Sequence, residues 1–206
     1  MSESEHCFSD EENENGPEYG KAEYWDHRYN ENSDPFEWYL GWDRIREVLS
    51  SYVGNNMNSL VIGCGNSPMS YDMLKDGFVN VVSIDISQIL IDQMKYRYIK
   101  ESKLQWFQMD CTDLKFPDSS FDTVFDKGTF DAISCGSNSH SIIEKTMKEI
   151  HRVLKPGGRF FEITYARPSH RFPAMRSSNL TWHVYPPEIV GMIGRSCHYF
   201  YIFEKI

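Results

Sequence analysis

Long apolar runs are missing from this sequence of 206 residues. No apolar stretch approaches the roughly 18 residues that a membrane-spanning helix needs, so we expect no transmembrane segment and no membrane partner. The N-terminal residues are acidic and polar, so we also expect no secretory signal peptide. The length and a hydrophobic content of 40% suit one soluble globular domain with a full core.

Cysteine is too scattered to build a structural framework. The sequence has five cysteines, an odd number, and no Cys-x-x-Cys pair, which argues against both a disulfide framework and a zinc site. The seven histidines show no paired spacing typical of metal ligands. We therefore predict no metal site, and we predict a cytoplasmic location because free thiols persist in a reducing compartment.

Positive charge is scarce, and the net charge is −9. Residues 1–18 hold seven acidic residues and no Lys or Arg, so the remaining chain is nearly neutral. That remainder lacks the basic surface expected of a nucleic-acid-binding protein, and we predict no nucleic-acid partner. Residues 1–18 are predicted to form a disordered acidic tail, with a tether for a basic partner as the alternative.

Alternating strand and helix patterns fill residues 19–206, which we predict to form one folded domain. Two helical patterns come first, near residues 24–29 and 38–52. Five apolar runs then predict strands, at residues 59–62, 79–84, 104–109, 123–125 and 159–164. Helices are predicted between several of these strands, at about residues 68–77, 87–98 and 141–154.

Two further β-like runs, at residues 181–185 and 198–203, have no long helix between them, which predicts an antiparallel hairpin at the sheet edge. The alternation before them predicts an α/β fold, in which helices cover both faces of a doubly wound, mostly parallel sheet. Pro68 is placed in the first turn of its helix, Gly77 at the end of that helix, and Ser87 at the cap of the next.

Three strand ends outline a predicted adenosine site. The first strand ends in Gly63-x-Gly65, where glycine lets the backbone turn tightly and approach a ligand. Asp85 ends the second strand, where an acidic residue can bind the two hydroxyls of a ribose. Asp110-Cys111 follows the third strand, where a carboxylate and a backbone amide could face an adenine ring. Because ligands of such sheets bind beyond the carboxyl ends of the strands, we expect these residues to meet.

Each of these signals has a simpler interpretation, since Gly-x-Gly occurs in ordinary turns and Asp85 could cap a helix. Their order along three successive strand ends favours a ligand site. NAD is the main competitor, but its fingerprint needs a third glycine where a pyrophosphate meets the helix N-terminus. Pro68 occupies that place. S-adenosylmethionine (SAM) has no pyrophosphate, so the pattern favours SAM.

With these landmarks the sequence resembles the class I SAM-dependent methyltransferases. The resemblance extends from about residue 19 to the end and is carried by residues 60–66, 83–85, 109–111, 116–122 and 154–158. It implies a seven-stranded, Rossmann-like sheet whose last two strands form a hairpin, with SAM as the cofactor. Val61 stands where many members of the family have an acidic residue, which puts one contact with the methionine amine in doubt.

A narrower resemblance rests on residues 23–29, 36–39 and 63–67 and on the segment Asp-Lys-Gly-Thr-Phe-Asp-Ala at residues 126–132. These segments are similar to the subgroup that contains the methyltransferase-like 13 proteins and the elongation factor 1A lysine methyltransferases, including the form associated with endothelin-converting enzyme 2. The likeness implies a protein substrate such as elongation factor 1A. The SAM contacts that it and the strand ends imply are Trp25, Tyr29, Trp38, Gly63, Gly65, Asp85, Ile86, Asp110, Cys111 and Lys127.

Residues 19–56 are predicted to form a helical lid over the cofactor. Aromatic faces attract a cation such as the SAM sulfonium by about 0.5–2 kcal/mol each, which suits Trp25, Tyr29 and Trp38. The alternative is that these rings simply pack on the edge of the sheet. Asp126, at the end of the fourth strand, is the candidate for orienting the acceptor amine. Its alternatives are a salt bridge to Lys127 or a structural cap.

Three functions remain open at this point. The first is a protein lysine methyltransferase, and it depends mainly on the resemblance. The second is a small-molecule methyltransferase, since the sequence shows no separate domain for docking a protein. The third is a non-catalytic SAM-binding partner, since no unmistakable catalytic base is present. The fate of a transferred methyl group separates the first two, and the third predicts binding without turnover.

Overall fold

A computed structural model describes residues 19–54, 56–175, 180–193 and 196–206. The predicted acidic tail, residues 1–18, lies outside the described residues. The helices are α1 (Ala22–Glu31), α2 (Trp42–Leu49), α3 (Met69–Lys75), α4 (Gln88–Arg97), α5 (Thr129–Ser134), α6 (Ser139–Val153) and α7 (Pro168–Met175). The strands are β1 (Asn58–Ile62), β2 (Asn80–Asp85), β3 (Leu104–Gln108), β4 (Phe121–Lys127), β5 (Leu154–Thr164), β6 (Trp182–Val184), β7 (Glu188–Ile193) and β8 (Ser196–Lys205).

One sheet joins all these strands in the order β3-β2-β1-β4-β5-β8-β6, with β7 also paired to β8. Strands β1 to β5 are parallel to their neighbours, and β8 runs antiparallel to β5. The strand order reverses between β1 and β4, which places a switch point there. The predicted doubly wound, mostly parallel sheet is therefore confirmed.

The C-terminal hairpin differs from the prediction because its outer side consists of two strands. β6 pairs with residues 203–205 of β8, and β7 pairs with residues 196–200 of the same strand. Pro186 and Pro187 lie between β6 and β7 and have no backbone N–H, so the ladder breaks at that point. Together β6 and β7 occupy the position of one interrupted seventh strand.

Two hydrophobic clusters cover the two faces of the sheet. Strand side chains alternate between them, so that Phe125 packs with α2, α3 and α4 while its neighbour Val124 packs with α5, α6 and α7. The predicted apolar face of α6 is buried through Ile143, Met147 and Ile150. None of the helices in the described ranges combines the length and the apolar composition that a membrane span needs.

Several element boundaries differ from the sequence prediction. The helix predicted from residue 38 begins only at Trp42, because Tyr39 adopts a left-handed φ of 62° that a helix cannot continue. Pro68 precedes α3 as its N-cap instead of lying in its first turn, and the Met69 amide donates to the Ser67 hydroxyl at 3.1 Å. Ser87 caps α4 as predicted, since its hydroxyl accepts from the Leu90 amide at 3.2 Å.

Candidate functional site

A cavity opens beyond the carboxyl ends of the parallel strands, at the switch point between β1 and β4. The structure places all ten predicted SAM contacts on the wall of this cavity: Trp25, Tyr29, Trp38, Gly63, Gly65, Asp85, Ile86, Asp110, Cys111 and Lys127. Tyr39, Asp131 and Tyr165 also line it. Tyr39 and Asp131 lie within segments that carry the resemblance, at residues 36–39 and 126–132, but no spacing signal distinguished either of them there.

The loop after β1 needs glycine at two positions. Gly63 and Gly65 have φ angles of 52° and 55°, in the left-handed region that favours glycine. A Cβ atom on Gly63 would lie 2.1 Å from Oγ1 of Thr129, whose hydroxyl donates to the Ile62 carbonyl at 3.0 Å. The loop is thus shaped both by its backbone conformation and by the close approach of α5.

Asp85 is 7% exposed and connects the ends of β1 and β2. Its Oδ2 accepts from the Gly65 amide and its Oδ1 from the Ser87 amide, both at 3.0 Å. Burial raises the pKa of Asp85 to about 6, and the backbone amides oppose that shift. Each carboxylate oxygen keeps a further lone pair for a hydroxyl donor. Because the Ser87 hydroxyl caps α4, the Asp85 carboxylate is not needed as that cap. It lines the cavity, where its free lone pairs can accept from the hydroxyls of a ribose.

The ends of β2 and β3 supply a mixed polar and apolar wall. Ile86, Met109, Asp110 and Cys111 line the cavity together, and Oδ1 of Asp110 accepts from the Thr112 amide at 2.8 Å. Burial raises the pKa of the Cys111 thiol to about 12, so the thiol stays protonated and is a poor nucleophile. Apolar side chains beside backbone amides suit a flat heteroaromatic ring such as adenine.

Helix α1 and the loop after it cover the cavity through aromatic residues. The Trp25 and Tyr29 rings stack with centroids 5.8 Å apart, and Nε1 of Trp25 donates to the Tyr19 carbonyl at 2.7 Å. The Asp26 carboxylate accepts from the Ser87 hydroxyl and so connects α1 to the start of α4. The aromatic segment is therefore held against the cavity by defined polar contacts.

Lys127 holds the loop after α1 in place. Its ammonium, on a residue 9% exposed, donates to the Glu37 carboxylate and to the carbonyls of Trp38 and Leu40, at 3.2 and 3.4 Å for the two carbonyls. The Ser67 hydroxyl donates to the same Glu37 oxygen at 2.7 Å. Burial lowers the pKa of Lys127 to about 7. The alternative of an ion pair between Asp126 and Lys127 is wrong, since Lys127 pairs with Glu37.

Asp126 is fully buried and does not line the cavity. Its Oδ1 accepts from the Thr129 amide at 2.7 Å and its Oδ2 from the Phe130 amide at 3.1 Å, so both oxygens cap α5. Burial, followed by the nearby Asp131 carboxylate, raises the pKa of Asp126 to about 7. The geometry therefore favours the structural cap over the predicted contact with an acceptor amine. Among the residues that the structure describes, no cluster of three or more potential metal ligands occurs.

Sequence comparisons agree with this geometry. Residues 60–161 match the family model described as a methyltransferase domain. The chain is 36% identical over 175 residues to EEF1A lysine methyltransferase 4 of Mus musculus, covering 80% of this chain and 69% of that protein. It is 37% identical over 154 residues to eEF1A lysine and N-terminal methyltransferase of the same organism, which covers 73% of this chain but only 22% of that longer protein.

Solved structures share the fold at low sequence identity. The N-methyltransferase NodS from Bradyrhizobium japonicum WM9, in complex with S-adenosylhomocysteine, superposes with a TM-score of 0.67 at 15% identity, covering 89% of this chain and 97% of that one. A SAM-dependent methyltransferase from Methanosarcina mazei gives a TM-score of 0.62 at 17% identity, covering 77% and 97% of the two chains. The chain belongs to the class I SAM-dependent methyltransferase family that includes EEF1A lysine methyltransferase 4, and SAM is its cofactor.

Proposed function

We propose that this protein methylates a lysine side chain of a protein substrate, and that the substrate is elongation factor 1A. The observation that carries the proposal is the 36% identity to EEF1A lysine methyltransferase 4 over 69% of that protein's length. The two longer relatives named as eEF1A lysine and N-terminal methyltransferases in mouse and cattle support the same substrate.

The residues of the cavity fit the parts of SAM by their chemistry. We propose that Asp85 binds the ribose hydroxyls and that Ile86, Asp110 and Cys111 receive the adenine. Trp25, Tyr29 and Trp38 then enclose the cofactor as a lid formed by residues 19–56, with Gly63 and Gly65 allowing close approach of the backbone. Lys127 contributes by binding Glu37 and so holding the loop after α1, which belongs to this lid.

When bound, SAM supplies a methyl group already activated by its sulfonium sulfur, so positioning of the acceptor provides much of the catalysis. The acceptor lysine must lose a proton first, because its ordinary pKa is about 10.4. Desolvation within the cavity lowers the pKa of an entering ammonium in the same direction as it does for Lys127. The chain's role is then to exclude water, to desolvate the amine and to fix its position.

A transfer assay with tritium-methyl SAM tests this function. The assay offers recombinant elongation factor 1A and a methylation-depleted lysate, and the Asp85→Ala variant serves as the negative control. Asp92→Ala is a matched control, because Asp92 is an exposed aspartate of α4 that lies outside the cavity. We expect label in the elongation factor band with the wild-type protein and with Asp92→Ala, and mass spectrometry should locate it on lysine.

Other outcomes would redirect the proposal. Label in a different protein band would keep the methyltransferase and replace its substrate. Label only in the small-molecule fraction would support the second function, and SAM binding without any transfer would support the non-catalytic one.

We also propose a cytoplasmic location. Cys64, Cys111 and Cys197 are free thiols, which a reducing compartment preserves. Fractionation of cells that express the tagged protein tests this, and recovery mainly in an organelle fraction would contradict it.

A further inference from the structure

One pair of side chains on the cavity wall has no part in the cofactor contacts proposed above. Tyr39 precedes α2 and Asp131 lies in α5, 92 positions apart in sequence, and the Tyr39 hydroxyl donates to Oδ2 of Asp131 at 2.8 Å. Both residues line the same cavity as the proposed SAM contacts. The pair is therefore part of the cavity wall that lies outside the proposed cofactor contacts.

Asp131 is fixed by donors on every accessible side and is 4% exposed. Its Oδ1 accepts from the Thr164 hydroxyl at 2.6 Å and from the Arg171 guanidinium. Arg171 is itself buried and contacts Glu162 from its Nε, at 2.8 Å from Oε1. Burying three charges is costly unless they serve to pair and position one another. The cluster gives Asp131 a single orientation at the cavity.

Tyr39 is constrained just as closely. Its φ of 62° is uncommon for an aromatic residue, and such conformations concentrate at functional sites. Its ring lies against Gly128, where an added Cβ would come within 3.2 Å of the Tyr39 ring, and its centroid is 4.8 Å from that of His198. The hydroxyl is thus held by the backbone, by ring packing and by Asp131.

The hydrogen bond that the Tyr39 hydroxyl already donates determines which further partner it can bind. A tyrosine hydroxyl has one hydrogen, and here Asp131 accepts it, so the oxygen can only accept from a further partner. An amine N–H is such a donor. Burial, followed by the Asp131 carboxylate, raises the pKa of Tyr39 far above its ordinary value, so the hydroxyl stays neutral and does not act as a base.

We propose that the Tyr39 hydroxyl oxygen accepts a hydrogen bond from the acceptor amine and that Asp131 is the residue that positions this hydroxyl. The assignment deepens the proposed function and rests on it. In the transfer, the lone pair of the neutral amine forms the new N–C bond while the electron pair of the broken S–C bond stays on sulfur. The methylated ammonium later releases its proton to water. Tyr39 orients the lone pair by holding the N–H and takes no proton.

The test compares wild-type protein, Tyr39→Phe, Asp131→Asn and the double variant, with elongation factor 1A as substrate. Tyr39→Phe keeps the ring and removes only the hydroxyl. We expect its kcat to fall by about 10- to 100-fold, as for loss of one well-placed hydrogen bond, with an unchanged KM for SAM. Because Asp131 acts through Tyr39, the double variant should be no slower than the slower single variant.

Affinity for S-adenosylhomocysteine, measured by calorimetry, provides a readout besides activity. We expect the affinity to be the same in wild-type protein and in Tyr39→Phe, which also shows that the variant is folded. Tyr96→Phe is the matched control, since Tyr96 is 82% exposed on α4 and should retain full kcat.

Unchanged kcat in Tyr39→Phe would overturn the assignment, as would a parallel loss of S-adenosylhomocysteine affinity, which would place Tyr39 in the cofactor site. Additive losses in the double variant would overturn the positioning role of Asp131. A wild-type protein that transfers no methyl group to lysine would overturn the proposed function, and this assignment with it.

Discussion

Asp85 ends β2 and Asp126 lies one residue before the end of β4, and each carboxylate accepts from two backbone amides in a buried site. Asp85 lines the cavity, whereas Asp126 does not. The residues that follow explain the difference. Ser87 supplies its own hydroxyl as the cap of α4, but the position before α5 is Gly128, which has no side chain to cap with. Asp126 therefore caps α5, while Asp85 remains available to a ligand.

The largest expected effect is the loss of cofactor binding in Asp85→Ala. If Asp85 binds the ribose as proposed, removing the carboxylate deletes two hydrogen bonds from ribose hydroxyls to a charged acceptor, so the Kd for SAM should rise by about 100-fold or more. Calorimetry measures the Kd, and Asp92→Ala should bind like the wild-type protein. If Asp85→Ala bound SAM with the wild-type Kd, Asp85 would not be a ligand-binding residue and would not differ from Asp126 in this respect.

Asp126→Ala should instead act mainly on stability. Two buried amides at the start of α5 lose their acceptor, so we expect the free energy of unfolding to fall by about 1–3 kcal/mol. Urea denaturation measures this change, and Asp126→Asn, which keeps one acceptor oxygen, should lose less. Weakened SAM binding at full stability would show that Asp126 belongs to the site after all.

Trp25→Ala tests whether the lid, residues 19–56, contacts the cofactor. If the ring faces the sulfonium, SAM binding should weaken by about 0.5–2 kcal/mol while the melting temperature of the cofactor-free protein changes little. Paired calorimetry and thermal melting separate these effects. Equal losses of stability and of binding would mean that Trp25 only packs against Tyr29 and Tyr19.

The smallest effect on SAM binding is a pH dependence, and the stability of the fold should change with pH in the opposite direction. Because the folded-state pKa is raised to about 6 for Asp85 and to about 7 for Asp126, the folded protein binds these protons more tightly than the unfolded chain. Ionisation of these groups thus lowers the free energy of unfolding as pH rises from about 4 through those values.

SAM affinity should change in the other direction. The proposed ribose contact uses the ionised form of Asp85, so the affinity should be about fourfold weaker at about pH 5.5 than at about pH 8. Calorimetry at the two pH values checks this. Asp85→Asn should bind weakly at both, and an equally strong pH dependence in that variant would assign the effect to another group.

The periodic part of the fold could be predicted from the sequence because its apolar residues repeat at the spacing of strands and long helices. Ile143, Met147 and Ile150 identified α6, and the strand ends at Gly63, Asp85 and Asp110 identified one edge of the sheet. These signals are local, and the parallel sheet brings them together without further information.

The remaining features depend on contacts between distant segments. α5 has only six residues, which is too short for a periodic pattern, and it begins after a left-handed Gly128. The contact between Tyr39 and Asp131 spans 92 positions and exists only once the loop after α1 is folded against α5. The same holds for the ion pair of Lys127 with Glu37, so the spacing of residues could not reveal the roles of these side chains.

The two prolines between β6 and β7 affect whether another chain can associate with this edge of the sheet. The outer edge of a sheet is a template on which a strand from another chain can add, and that is a route to aggregation. At this edge Pro186 and Pro187 offer no N–H, and the ladder is divided into segments of three and six residues. An incoming strand therefore meets two short segments instead of one continuous ladder, which disfavours the addition of a strand at this edge.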